Sequence, residues 1–292
     1  MKLYAPSYYK DFKCIADKCK HSCCVGWEID IDSDTLQAYQ TISHPYAETV
    51  RNSIDDGETP HFRLFGDDRC PHLRGDGLCE LILQLGEDSL CEICREHPRF
   101  YHETARGMEV GIGMSCEEAC RVILGGDYRS FVLLEDTPAM QEDIPFDIHP
   151  LRERAYEILS SPCPYAKRLH ALAAAFDITL APDEQVRTVL ASLEYLDCAH
   201  KELFACYASD SVMPAACERE AERVLAYLIF RHCSPSWDET DFRIALRFCM
   251  TCERLLASAA QTTDASTLCS LARIFSEEIE YSEDNTQTLM EL

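Results

Sequence analysis

The chain has no run approaching the ~18 apolar residues of a membrane-spanning helix, which excludes such a helix. Its first residues, MKLYAPSYYKDFK, lack the apolar stretch of a secretory signal, which points to a cytoplasmic location. Basic residues are scarce: 27 Lys and Arg against 51 Asp and Glu give a formal net charge of −24. So acidic a chain is repelled by phosphate backbones and anionic lipid, so nucleic acid and membrane surfaces are excluded as general partners. A solvated acidic surface is the ordinary use of such charge. There is no G-x-G-x-x-G; GIGMSC at 111–116 stops short of that dinucleotide fingerprint.

What the chain has in plenty is cysteine. Of its 18 cysteines, ten lie in residues 1–120. At 292 residues it can bury a full core and needs no disulfides to replace one. In a reducing cytoplasm, dense thiols point to metal or catalysis.

The two halves differ. The first reads as short elements between turns: a helix in DSDTLQAYQTI capped by Ser33 or Asp34, a strand in HFRLF, a turn at RGDG (74–77), and short helices in LCELILQLG and SLCEICREH. MEVGIGM and SFVLLED read as strands. In SCEEACRVILGG, Ser115 and Glu118 form an S-x-x-E capping pattern with Cys116 at the first helical position, where backbone amides favour a thiolate. The second half has helical periodicity over 149–160, 164–176, 183–208, 215–233, 238–258 and 265–281. The expected fold is an α-rich α+β protein. A loop-rich, cysteine-dense metal domain spans 1–135, an all-helical domain spans 147–285, and 286–292 form a frayed tail. The linker falls in EDTPAMQEDIPFD, 135–147.

The candidate ligand pool is Cys14, Cys19, Cys23, Cys24, Cys70, Cys79, Cys91, Cys94 and Cys116. Thiolate suits zinc and iron–sulfur clusters alike. The close pair Cys91-x2-Cys94 costs little chain entropy to bring together, and the long gaps then close loops on the metal. Adjacent side chains of an extended Cys23-Cys24 would point to opposite sides, leaving one for a given centre. Nine thiols exceed the needs of one four-thiolate cluster, so either two centres exist or some thiols are structural. A small buried hydrophobe is the ordinary role of a cysteine, and it is the reading for most of the second half; Cys249-x2-Cys252 alone there has ligand spacing.

Other residues carry weaker signals. Arg99 could grip the carboxylate of a bound cofactor, or make a structural ion pair. His97 could complete a metal shell or be a structural histidine. Trp27 could shield the site or pack in the core. Glu28, Asp30 and Asp32 alternate with Ile29 and Ile31, as on a strand with one acidic face. Tyr101 and His102 could help deprotonate an amine, though structural roles are commoner.

CIADKCKHSCCVGWEIDID, CPHLRGDGLCELILQLGEDSLCEICREHPRFY and SCEEACRVIL occur here in order. Together they resemble the flagellin lysine-N-methylase (FliB-like) family, as far as about residue 125. The resemblance implies methyl transfer from S-adenosylmethionine to surface lysines of flagellin or another protein, with an iron–sulfur cluster, of the 4Fe–4S kind, caged by cysteines. A radical-type C-x3-C-x2-C is absent, because Cys19-x3-Cys23 runs directly into Cys24. The alternatives are a zinc-held protein-interaction module without activity and an iron–sulfur electron carrier. Oligomeric state is not encoded in any motif.

Overall fold

The computed structural model describes every residue except 67, 139–143 and 263–267. In chain order, strands are β1 (Lys2–Pro6), β2 (Ile54–Asp55), β3 (His61–Phe62), β4 (Arg99–Thr104), β5 (Gly107–Ile112) and β6 (Phe131–Asp136). The first helices are α1 (Ser33–Thr41), α2 (Ala47–Asn52), α3 (Glu80–Leu85), α4 (Glu92–Glu96) and α5 (Glu117–Gly125). Then come α6 (His149–Leu159), α7 (Tyr165–Phe176), α8 (Asp183–Ser192) and α9 (Cys198–Phe204). Last are α10 (Glu218–Leu228), α11 (Glu239–Thr262), α12 (Leu268–Phe275) and α13 (Glu283–Met290). Helix accounts for 53% of the residues, beside a small mixed sheet, so the chain is α-rich α+β as expected. No described helix is long and apolar enough to cross a membrane.

Two compact units share the chain. One is Lys13–Arg99; the other joins Met1–Phe12 to Phe100–Leu292. This division cuts the chain elsewhere than the linker expected at 135–147, of which residues 139–143 lie outside the described residues. The cause is β1. It runs parallel to β5 and antiparallel to β6, so the first residues are sheet partners of residues a hundred positions later. Local pattern carries no trace of such pairing.

In the larger unit the sheet order is β4-β5-β1-β6. The core is helical, centred on Leu225, Leu228 and Ile229 with Leu246, Phe248 and Phe275, all essentially without solvent contact. Two buried ion clusters sit in this core. Glu109 on β5 accepts from both terminal nitrogens of Arg152, at 2.6 Å each, and pairs with His149 at 3.1 Å. Burial would raise the Glu109 pKa, but the Arg152 guanidinium outweighs it and holds the carboxyl near 2. The second cluster joins Glu280, His232 and Arg231. His232 Nε2 lies 2.8 Å from Glu280, and Arg231 donates to the Tyr227 hydroxyl at 2.9 Å. Both Arg231 and Glu280 stand on π-helical turns, Ile229–Cys233 and Ser276–Glu280, which extend α10 and α12.

Three helical expectations change. The stretch expected to be helical over 183–208 breaks between α8 and α9, where the side chain of Asp197 accepts from the amide of Ala199 and starts α9 anew. The tail expected to fray is α13. Ser282 caps it by accepting from the amide of Asn285, and Asn285 and Leu289 are buried. The helix expected over 265–281 becomes α12 and its π turn, with 265–267 outside the described residues.

Candidate functional site

The Lys13–Arg99 unit has a small core of its own. Ile29, Ile31, Tyr39, Val50, Phe62, Leu73 and Leu81 form it together with Cys70 and Cys91, and Cys24, Cys79 and Cys94 pack against it. The alternation of Ile29 and Ile31 with exposed Glu28 and Asp30 puts the apolar pair inward, as the sequence suggests. Ile31 and Phe62 close this stretch onto β3, with amides donating to Pro60 and Ile29 at 2.8 and 3.0 Å.

Backbone hydrogen bonds bring the cysteine segments together. The Cys70 amide donates to the Cys24 carbonyl at 2.9 Å, and Val25 bridges Arg69. Residues 70–79 then turn back through RGDG, with Leu73 opposite Cys79. Gly77 has φ +82°, and a Cβ there would meet the Asp17 backbone at 3.3 Å. Glycine at this position therefore lets the Cys14–Cys19 segment lie against the turn. Arg74 holds the turn through Asp76 and Glu80.

Cys79 and Cys91 occupy the N-cap positions of α3 and α4. Asp32 ties the second of these in place. One carboxylate oxygen accepts from the Thr35 amide at 2.9 Å, capping α1, and the other from the Glu92 amide at 2.8 Å, at the start of α4. The cap of α1 is therefore Asp32 rather than Ser33 or Asp34, which lie inside the helix. Asp32 is a site residue the sequence shows only as one of three alternating acids.

Backbone amides near the sulfurs favour their thiolates: those of Leu81 and Ile82 beside Cys79, that of His72 beside Cys70, and that of Cys94 beside Cys91. The five thiols feel one another. The S–H of Cys94 hydrogen-bonds Cys91, which lowers the Cys91 pKa and raises that of Cys94, and charges on Cys24 and Cys70 raise Cys94 further. Burial pushes Cys70 up to about 12, and Cys79 upward. Cys24 moves the other way, down to about 7, because Cys23 donates to it and Ser22 and Arg69 help. Cys23 and Cys24 thus meet, against the expectation that they diverge. They stand in a turn closed by Val25 and Ser22, not in extended backbone.

The remaining candidates are placed differently. Cys14 and Cys23 are exposed, and Cys19, half-buried, donates to the His21 carbonyl at 3.2 Å. Cys116 lies in the other unit, as the N-cap of α5. The S-x-x-E cap does not form there: Glu118 is taken by Arg121 at 2.5 Å, and the buried Ser115 hydroxyl makes no hydrogen bond. Arg99 opens β4 and donates to the Arg95 carbonyl at 3.2 Å. His97 is half-buried with its Nε2 enclosed, and desolvation brings its pKa down to about 4. His102 is likewise held near 4 by burial, between Phe100 and Phe230, and Tyr101 is half exposed. Trp27 is half-buried and outside the small core. A histidine no motif marks, His72, lies at its centre, bonded to the Tyr46 hydroxyl at 2.8 Å and the Ser53 hydroxyl at 3.0 Å.

Among the described residues no three His, Cys, Asp or Glu side chains are already disposed as a metal site, and none of the eighteen cysteines forms a disulfide. The chemistry of the donor set nonetheless fits a thiolate-bound metal. It offers five thiols around one small core, two of them at helix starts, and one whose pKa is lowered to about 7.

No protein-family model and no solved structure matches the chain. It is 26% identical over 167 residues to the lysine-N-methylase of Salmonella choleraesuis (strain SC-B67), a match covering 54% of this chain and 40% of that protein. The lysine-N-methylase of Salmonella typhimurium matches to the same extent. The flagellar biosynthetic protein FliU of Salmonella muenchen is 25% identical over 161 residues, covering 52% of this chain and 89% of FliU. The match thus spans about two fifths of the length of the lysine-N-methylases. The chain is a distant homologue of Salmonella lysine-N-methylase and of FliU.

Proposed function

We propose that this protein is a cytoplasmic, S-adenosylmethionine-dependent protein lysine N-methyltransferase whose cysteine unit holds an iron–sulfur cluster. Flagellin, or another lysine-bearing protein, is the substrate. The observation that carries the metal reading is the gathering of Cys24, Cys70, Cys79, Cys91 and Cys94 around one small core. The similarity to the Salmonella proteins supports the methyl transfer.

Four of these five thiols would hold a 4Fe–4S cluster, with Cys14, Cys19 and Cys23 as the outer candidates. Such a cluster supplies redox chemistry and a site where a cofactor can coordinate. The chain's own residues do the rest. Cys24, near neutrality, gives up its proton first, while Cys70 and Cys79 release theirs only to a cation that offsets their burial. The helix starts at Cys79 and Cys91 would then favour their thiolates. Asp32 fixes the start of α4 and with it Cys91. Arg99, just beyond the Cys91–Cys94 pair in sequence, would grip the cofactor carboxylate.

The test is iron, sulfide and zinc content after anaerobic purification, followed by S-adenosylmethionine binding and transfer of label to flagellin. About four irons with matching sulfide are expected. Stoichiometric zinc without sulfide would replace the cluster by a structural metal, and absence of label transfer would remove the enzyme assignment.

A further inference from the structure

We propose that Cys120 and Cys269, which no ligand role claims, form an oxidative modification site: a reversible disulfide that joins α5 to α12. The two thiols belong to one compact unit, and α5 packs directly on α12. The Cys120 thiol donates to the Cys269 carbonyl at 3.4 Å, which places it on the backbone of its partner. The two side chains also interact, in the sense that favours the thiolate on Cys269. Proximity alone would not set this pair apart, since Cys233 and Cys249 also touch. Those two, however, have no solvent exposure, and neither does Cys120. Cys269 is partly exposed. The Cys120–Cys269 pair thus combines a thiol that an oxidant can reach with a resolving thiol already in contact.

Its chemistry follows from that asymmetry. The Cys269 thiolate is favoured by the Cys120 S–H and by Arg273, and opposed by burial and by the Glu117 and Glu220 carboxylates that face it. It attacks a peroxide oxygen, forming a sulfenic acid and releasing hydroxide. The Cys120 sulfur then attacks the sulfenic sulfur, loses its proton and expels hydroxide, which leaves as water. Two thiols lose two protons and two electrons, and one hydrogen peroxide becomes two waters. A cellular dithiol reverses the step by exchange.

Peptide mapping of the full-length protein tests this. Protein treated with limiting hydrogen peroxide is alkylated and cut with trypsin without reductant. The expected product links residues 107–121 to residues 255–273, two hydrogens lighter than the sum of the peptides, with fragmentation placing the bond on Cys120. Dithiothreitol should abolish it, C269S and C120S should each abolish it, and C116S should retain it. A bond on Cys116, no link, or a Cys233–Cys249 link forming at least as fast would overturn the proposal. The wild-type map decides the matter even where a variant fails to fold.

Discussion

Single residues show how burial and pairing divide the titratable groups of this protein. Glu253 on α11 is 1% exposed, neither carboxylate oxygen accepts a hydrogen bond, and the Arg254 guanidinium stands 3.6 Å away. Burial therefore raises its pKa from an ordinary 4.5 to about 7. The folded state holds that proton more tightly than the unfolded chain does. The resulting destabilisation is absent below pH 4.5, grows as pH rises, and levels off above about 7 at roughly 3 kcal/mol. Glu253→Gln should thus raise Tm at pH 8 and leave it nearly unchanged at pH 4, which thermal melts at the two values would check. Glu109 has the opposite sign. Held near 2, it contributes stability fully present above pH 4.5 and lost as pH falls toward 2, again about 3 kcal/mol. Replacing it with Gln leaves Arg152 buried without its counter-charge, so a loss of about 3–5 kcal/mol is expected in denaturant titration at pH 7.

At the scale of elements, the cysteine unit is built of helices too short to stand alone. α3 and α4 have 6 and 5 residues, and each begins at a cysteine. One carboxylate, Asp32, serves two helix starts at once. Asp32→Ala removes both bonds and should cost about 1–2 kcal/mol locally. Amide exchange of Thr35 and Glu92 should accelerate more than that of the larger unit. Asp32→Asn, which keeps one acceptor oxygen, should recover part of this. The S-x-x-E pattern before α5 shows the limit of such local reading. A guanidinium one turn on, Arg121, binds Glu118 and leaves the capping box unmade.

The whole molecule pairs a large helical core with a small unit whose own core has few apolar residues. A unit with so small a core gains stability from any metal that binds only its folded state. On the proposed metal reading, a strong chelator should unfold Lys13–Arg99 and spare the rest. Calorimetry would then show one transition lost and one kept, with bulk helical circular dichroism largely retained. Cys91→Ala should do the same and release metal, whereas Cys14→Ala should do so far less, because Cys91 is buried in the small core and Cys14 is exposed.

Composition and local pattern were enough for the α-rich α+β class, for most second-half helices and for the β5 and β6 strands. These depend on periodicity, turn residues and spacing, all of which are local. They were not enough for the pairing of β1 with β5 and β6, the break before α9, the burial of α13, or the contact of Cys23 with Cys24. Nor could they single out His72, Asp32, or the two buried ion clusters. Each of these depends on which distant segment arrives opposite. That is settled by the free energy of burying apolar surface and satisfying polar groups together, which tertiary packing alone decides.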